Sequence, residues 1–323
     1  MSKLDPTELS AKIKEAAGIV ARANSFRTTP ADEKVLKDYS LNTDPHPYWP
    51  QAAERYLKKL KEHREAGLSF LLDNGMLFDL HGANSAAPNE LLRGPLFAPI
   101  ARGKRKLLNR FPIGATADGT VQFEYSGAQL DQADLDTLLT LMRVLSDATK
   151  TGNVEKITDA SGRHEYTRVQ FARYGFLKEM GRATGRSEYR WLDDSLRRLS
   201  GELSIQIKGR GSINGPMVGK RFIDDTSDNM IVDINQDFTT LMKGDQFTFI
   251  DMAARLALPT PFAKWLHSFV SSHSGARYYT AAQLMESSGS STKRVRDFMR
   301  QSATPSFEAL AAAGIIQNLE IKG

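Results

Sequence analysis

Arg186, Ser187, Arg190 and Arg197 fall on one side of a helix read over 187–199. Ser290, Ser291, Thr292, Lys293, Arg294, Arg296 and Arg300 crowd the start and outer side of a second helix read over 291–301. Guanidinium and ammonium groups beside small hydroxyls suit phosphate oxygens, and an arginine can engage the N7 and O6 acceptors of a guanine in bidentate fashion. The chemistry these two sets offer is recognition of a polyanion.

The elements that must position them recur in the same order twice. An extended run, Tyr166–Phe171, leads into a helix over 172–180 that stops at Gly181, and the helix over 187–199 follows. The second copy runs from Arg277–Thr280 through a helix over 281–288 and Gly289 to the helix over 291–301. This is the outline of a helix-turn-helix, whose second helix can lie in the DNA major groove. In the first copy Tyr189, Leu192, Leu196 and Leu199 form an apolar stripe, and Ser187, Arg190, Asp194, Arg197 and Arg198 face the other way. In the second, Val295, Phe298 and Met299 face inward, and Thr280 with Gln283 forms a capping box before the first helix.

Strands expected at 202–208 and 222–234, joined by a glycine-rich loop over 209–221, make a hairpin after the first basic helix. Lys208, Arg210, Lys220 and Arg221 would then sit on a basic wing, as in a winged helix. The plainer alternative is a helix with ordinary surface arginines beside an ordinary hairpin.

Around these units the chain reads as α+β: tandem winged-helix domains with a helical N-terminal extension. The expected divisions are 1–87 for the extension and connector, 88–245 for the first winged helix and 246–323 for the second. Within the extension, three prolines over 44–50 break the helical pattern, and the charged run that follows reads as a solvated face. The run 91–110 carries Arg93, Arg102, Lys104, Arg105, Lys106 and Arg110, either a phosphate-facing patch or a solvated loop. Val121–Tyr125 alternates as a strand, Ser126–Gly127 turns, and a helix beginning near Asp131 puts Leu130, Leu135, Leu138, Leu139, Met142 and Leu145 on its core face. The stretch 149–164 reads as a loop. Phe262–Val270 reads as an apolar helix supporting the second unit, and 309–316 as a last helix stopped by Gly314 before a final strand.

Composition bounds the alternatives. With 323 residues and 41% hydrophobic, the chain can build two or three cored domains. Lys and Arg exceed Asp and Glu by 43 to 38, a net +5, which permits a polyanionic partner without requiring one. There is no cysteine, hence no disulfide or thiolate zinc site. No secretory signal segment or apolar membrane span is read, and a cytoplasmic, non-membrane protein is expected. Gly215–Arg221 fails as a phosphate-binding loop: three residues separate the glycines instead of four, and arginine stands where a hydroxyl must follow the lysine. The six histidines show no helical zinc spacing, His267 reads as a helix-surface residue, and no Gly-x-Ser-x-Gly elbow occurs. No catalytic constellation, metal site or cofactor is expected, and the chain is read as a non-enzyme.

The segments Pro88-Asn89-Glu90-Leu91-Leu92-Arg93-Gly94-Pro95-Leu96-Phe97 and Phe123-Glu124-Tyr125-Ser126-Gly127-Ala128-Gln129-Leu130-Asp131-Gln132-Ala133-Asp134-Leu135 resemble plasmid replication initiators of the TrfA type. So do Phe171-Ala172-Arg173-Tyr174-Gly175-Phe176-Leu177 and 192–199, and the resemblance covers 74–323 in order. Gly94–Pro95 departs from that pattern, where small helix-compatible residues are expected. The resemblance implies two winged-helix domains that bind direct repeats (iterons) in double-stranded origin DNA, open adjacent AT-rich DNA, and help recruit the host initiator, replicative helicase and sliding clamp. It implies that the 290–301 helix reads the repeat. The first unit would add Arg186, Arg190 and the wing, and carry a dimer surface in a monomer–dimer equilibrium that sets copy number. Asn74-Gly75-Met76-Leu77-Phe78-Asp79 is similar to a clamp-binding peptide, with Leu77 and Phe78 as its apolar pair and Asn74 where glutamine is usual; core anchoring of the connector is the alternative. Two rivals stay open: a tandem winged-helix transcriptional repressor, and a relaxase-type nicking enzyme using Tyr278 or Tyr279.

Overall fold

The apolar periods resolve into small antiparallel sheets threaded by helices in a computed structural model of the chain, which describes residues 84–100, 105–115, 121–159, 162, 164–207, 211–224, 228–240, 247–273 and 278–316. In chain order these form β1 (Asn84–Pro88), α1 (Asn89–Arg93), β2 (Phe97–Ala98), β3 (Leu107–Ala115), β4 (Val121–Ala128), β5 (Leu130–Asp131) and α2 (Gln132–Lys150). Then come β6 (Glu155–Thr158), β7 (Glu165–Ala172), α3 (Arg173–Glu179), α4 (Arg186–Leu199), β8 (Glu202–Ile207), β9 (Gly211–Pro216), β10 (Val218–Asp224) and β11 (Asn229–Asn235). The last stretch holds α5 (Gln236–Thr240), β12 (Phe247–Asp251), α6 (Met252–Ala257), α7 (Pro261–Ser271), α8 (Ala281–Ser287), α9 (Val295–Phe298), a π-helical turn (Met299–Ala303) and α10 (Thr304–Ala312). The architecture is mixed α+β. The N-terminal extension before Asn84, Leu77 and Phe78, Arg102, Lys104, Lys208, Arg210, Arg277 and the expected final strand lie outside the described residues.

Among the described residues two four-stranded antiparallel sheets are present, ordered β3-β4-β8-β9 and β10-β11-β7-β6, with a parallel β2-β5 pair and an antiparallel β1-β12 pair. The last pair joins Asn84–Pro88 to Phe247–Asp251, so segments from either side of the expected 245/246 division share one ladder. All described residues belong to one compact unit, Asn74–Gly323.

At the centre lies α2. It starts where the sequence places it because Asp131 accepts from the backbone N–H groups of Ala133 and Asp134 at 2.9 and 3.0 Å, while the Asp134 carboxylate accepts from the Asp131 N–H at 3.1 Å. Leu135, Leu138, Leu139, Met142 and Leu145 are buried as their spacing predicts. Leu141, Thr137 and Thr140 are buried too, so α2 is enclosed on most sides, and its buried carboxylates Asp134 and Asp136 need partners.

The expected 209–221 loop is not a loop. Gly211–Pro216 pairs with β8, and Val218–Asp224 pairs with β11, so the 222–234 strand is two strands. Its glycines serve close approach: a Cβ on Gly219 would lie 2.6 Å from the Tyr166 ring, and one on Gly215 2.8 Å from Asn235 Nδ2. The 149–164 stretch likewise contains β6, paired with β7.

From Val295 to Ala312 the backbone stays helical through the π-helical turn, which ends two residues before Pro305. A proline inside a helix lacks an N–H and presses on the carbonyl four residues back; a wide turn relieves that crowding. Gly314, at φ +68°, ends the helix as expected. No helix among the described residues is long and apolar enough to cross a membrane.

Candidate nucleic-acid interface

The two expected helix pairs form, and their turns share one geometry. After α3, the Arg182 N–H donates to the Leu177 carbonyl and Gly181 N–H to Lys178, with Gly181 at φ +67°. After α8, the Ser290 N–H donates to Met285 and Gly289 N–H to Glu286, with Gly289 at φ +65°. Each is a Schellman turn, which needs a left-handed residue and explains the glycine at both places.

In the first unit Leu192, Leu196 and Leu199 of α4 are buried, as the stripe predicts. The turn is tied to α4 by Arg182, whose guanidinium pairs with Glu188 at 2.7 Å and stacks 3.5 Å from the Trp191 ring centre. At its C-terminal end the expected outward face is partly wrong. Arg198 turns inward and donates to the Asp134 carboxylate at 2.7 Å, with only 13% of its side chain exposed. Ser195 Oγ donates to the same carboxylate at 2.7 Å, Arg105 donates at 3.2 Å, and the Tyr125 hydroxyl donates to the Arg198 carbonyl at 2.9 Å. Burial pushes the Asp134 carboxyl above its usual range, against the opposing hydrogen bonds from Arg198. Helical spacing alone puts Arg198 beside Arg197; the buried acid on α2 pulls it under.

The expected site residues therefore separate by partnership. Arg186, Ser187 and Arg190 are exposed on the first two turns of α4, and no hydrogen bond or ion pair among the described residues engages the two arginines. Arg197 is 61% exposed but pairs with Asp193 at 2.7 Å and Asp194 at 2.9 Å. Lys220 is exposed on the edge strand β10. Arg221 lies not in a loop but half-buried on strand β10, paired with Val232 and in the field of Asp193, Arg197 and Asp194; burial pushes its pKa down, and its Nη1 has no hydrogen-bond partner among the described residues.

In the second unit α7 contributes Phe262, Ala263, Trp265, Leu266 and Phe269 to a core completed by Leu284, Phe298, Ala303 and Leu310. Thr280 and Gln283 form the expected capping box on α8. The helix after Gly289 starts later than its residue types suggest, at Val295, because Arg294 is extended at φ −120° and ψ 130°. Ser290–Arg294 is instead a non-helical approach, folded on itself by the Thr292 N–H donating to Ser290 Oγ at 3.3 Å. Ser291, Lys293, Arg294 and Arg296 are exposed, while Ser290 and Thr292 are half-buried. Arg300 is exposed and lies 3.6 Å from Asp297, and Val295 is exposed where an inward face is expected.

The Gly94–Pro95 departure has a structural use. A Cβ on Gly289 would come within 2.8 Å of Pro95 Cβ, Trp265 Nε1 donates to the Gly94 carbonyl at 3.3 Å, and Arg93 donates to Ser272. Residues 93–95 thus brace the turn of the second unit. Of the four described cations of the 91–110 run, three have internal partners, Arg93 on Ser272, Arg105 on Asp131 and Asp134, and Arg110 on Glu124 at 3.1 Å, and Lys106 is exposed.

Between the two units sits a buried polar cluster. Arg255 of α6 donates to Asp136 Oδ1 at 2.6 Å, to Gln132 Oε1 at 2.8 Å and to Ser268 Oγ at 2.7 Å, and Lys264 Nζ reaches Asp136 Oδ2 at 2.6 Å. The available signal is the isolated arginine in Met252–Leu258, an otherwise apolar run. His267 is buried as well, 3% exposed rather than on the helix surface; burial first, and Arg255 second, push its pKa down to about 4. Tyr278 is exposed, and Tyr279 Oη lies 3.0 Å from His273 Nε2. No cluster of metal-binding side chains is present among the described residues.

No family model matches the chain, and no curated protein does. Among solved structures, domains 2 and 3 of RctB (selenomethionine derivatives) give a TM-score of 0.44 at 12% identity, covering 69% of this chain and 86% of that one. A second structure of RctB domains 2–3, spanning 155–483, gives 0.40 at 12% identity, covering 65% and 79%. At that identity and those scores, neither likeness says what this chain does.

Proposed function

We propose that this chain is a sequence-specific double-stranded DNA-binding protein, built as tandem winged helices, that initiates replication at a plasmid origin. The observation that carries the DNA-binding part is the selective exposure of cations. Two helix–glycine–helix units present Arg186 and Arg190, and Lys293, Arg294 and Arg296, without partners among the described residues, while Arg93, Arg105, Arg198 and Arg255 are used internally. Cations that only stabilised the fold would be expected to have partners. In the first unit the β8–β9 hairpin directly after α4 plays the wing. The narrower role as an initiator on iterons, acting without catalysis and with host initiator, helicase and clamp as partners, rests on the sequence resemblance.

The test has two parts. The full-length chain is used to select duplexes from a random-sequence pool, and it is then supplied in trans to a replicon that carries only the candidate origin. An enriched consensus found as direct repeats beside AT-rich DNA, together with plasmid maintenance, is the expected result. A palindromic consensus without maintenance makes it a repressor, and no enrichment removes the DNA-binding proposal.

A further inference from the structure

From the end of the β10–β11 connection, Asp228 reaches across to both helices of the first pair. Asp228 sits at φ +59°, a backbone conformation uncommon outside glycine and tolerated best by Asn and Asp. Its Oδ1 accepts from Arg173 Nε at 3.1 Å, and its Oδ2 accepts from the Tyr174 backbone N–H at 3.2 Å and from the Tyr189 hydroxyl at 3.4 Å. Its carbonyl accepts the Arg173 N–H at 3.1 Å. The Arg173 guanidinium in turn lies 4.8 Å from the centre of the Tyr189 ring.

Helix α3 has no side-chain cap of its own, since its N-cap is Ala172. A carboxylate from a distant turn supplies what a local Ser or Asp would otherwise provide. The same carboxylate also holds Tyr189, which lies on α4 between Ser187 and Arg190. Sheet turn, first helix and second helix therefore meet at one anion.

We propose that Asp228 is a positioning residue for DNA reading: by gripping Tyr189 and the start of α3 together, it fixes the rotation of α4 about its own axis. Arg186, Ser187 and Arg190 then leave the surface in one direction. The proposal rests on the DNA-binding reading above. Helix rotation decides which base edge a side chain one turn long can reach, so a small turn of α4 costs specificity before it costs the fold.

The test uses the full chain and a consensus duplex that wild type has selected from a random-sequence pool. Failure to enrich a consensus overturns the DNA-binding reading itself. With a consensus in hand, Asp228→Gly relieves the backbone conformation while deleting the anion, and Arg190→Ala deletes the reader. Each is expected to weaken binding by about tenfold, and the double variant by about tenfold in total rather than a hundredfold, because both act through one contact. Asp228→Gly is also expected to relax preference at the base position that Arg190→Ala relaxes. Independent effects that multiply, an unchanged preference at that position, or wild-type binding by Asp228→Gly would overturn the role. If Asp228→Gly does not fold, the same cycle is run with Asp228→Asn, which keeps the backbone preference and one acceptor. That variant is expected to fall between wild type and Arg190→Ala and to show the same non-additivity, and multiplying effects overturn the role here too.

Discussion

Arg255 and Asp136, far apart in sequence, meet at 2.6 Å with 0% and 5% of their side chains exposed, and this pair ties α6 to the central helix α2. Two positions earlier on α2, Asp134 holds Arg198 at the end of α4. Through carboxylates two positions apart, one helix thus anchors α4 of the first helix pair and, by way of α6 and α7, the elements that support the second. Removing one member of a buried pair strands the other's charge, so Arg255→Ala is expected to destabilise the chain by about 3–5 kcal/mol, toward the lower end because Lys264 still reaches Asp136. Urea denaturation of the two proteins measures it; a loss below about 1 kcal/mol would mean that the cluster is hydrated rather than sealed.

His267 gives a pH dependence. Its folded pKa of about 4 lies below the unfolded value of about 6.5, so between those limits the unfolded chain binds the extra proton. Stability is complete above the unfolded pKa and falls as pH drops from about 6.5 toward 4, by about 3 kcal/mol over the whole window. Thermal melts at pH 7 and pH 5 should show the loss, and His267→Leu should flatten it. An equal drop in that variant assigns the pH response to other groups.

Partnership should predict DNA affinity better than exposure does. Lys293→Ala and Arg190→Ala are each expected to lower the slope of log K against log salt by about 1, or to cost about 1–3 kcal/mol of specific binding where the side chain reads a base. Arg197→Ala, equally visible on the surface but bound to Asp193 and Asp194, should leave the slope unchanged. Fluorescence anisotropy across a salt series separates the two kinds. Equal losses in all three would show that the Arg197 ion pairs open on the DNA.

The two turn glycines are not equivalent. Both hold a left-handed backbone, where alanine costs about 1–2 kcal/mol. A Cβ on Gly181 meets nothing within 4 Å, whereas one on Gly289 runs into Pro95 at 2.8 Å. Gly289→Ala should therefore lose more stability than Gly181→Ala, by about 1 kcal/mol or more, and Pro95→Gly should narrow the gap. Chemical denaturation of both glycine variants and their parent, in the wild-type and the Pro95→Gly background, decides it.

The sequence carried the helix pairs well, because their signals are local: leucines at 192, 196 and 199, the capping box at Thr280, and glycines at 181 and 289 each depend on near neighbours. It misplaced what depends on distant ones. Gly215 and Gly219 looked like loop residues because their use, clearance for Tyr166 and Asn235, lies some fifty residues before one and twenty after the other. Arg198 looked outward because the acid that draws it inward is on another helix. Arg221 looked like a loop residue for the same reason: the strand that carries it pairs with β11, which no local pattern announces. The exposed positions of Arg186, Arg190, Lys293 and Arg294 were legible, since nothing remote competes for them.

The wide turn at Met299–Ala303 has a consequence for how this helix can vary. Phe298 and Ala303 are both buried five positions apart, a step that no regular helix places on one face. Everything after the turn is therefore one residue out of phase with everything before it. Deleting a single residue there would restore a uniform helix yet swing Leu310 about 100° away from Trp265 and Phe262. The cationic entry and the apolar anchor of this helix are thus set to different clocks, and the extra residue ahead of Pro305 is what keeps both on time.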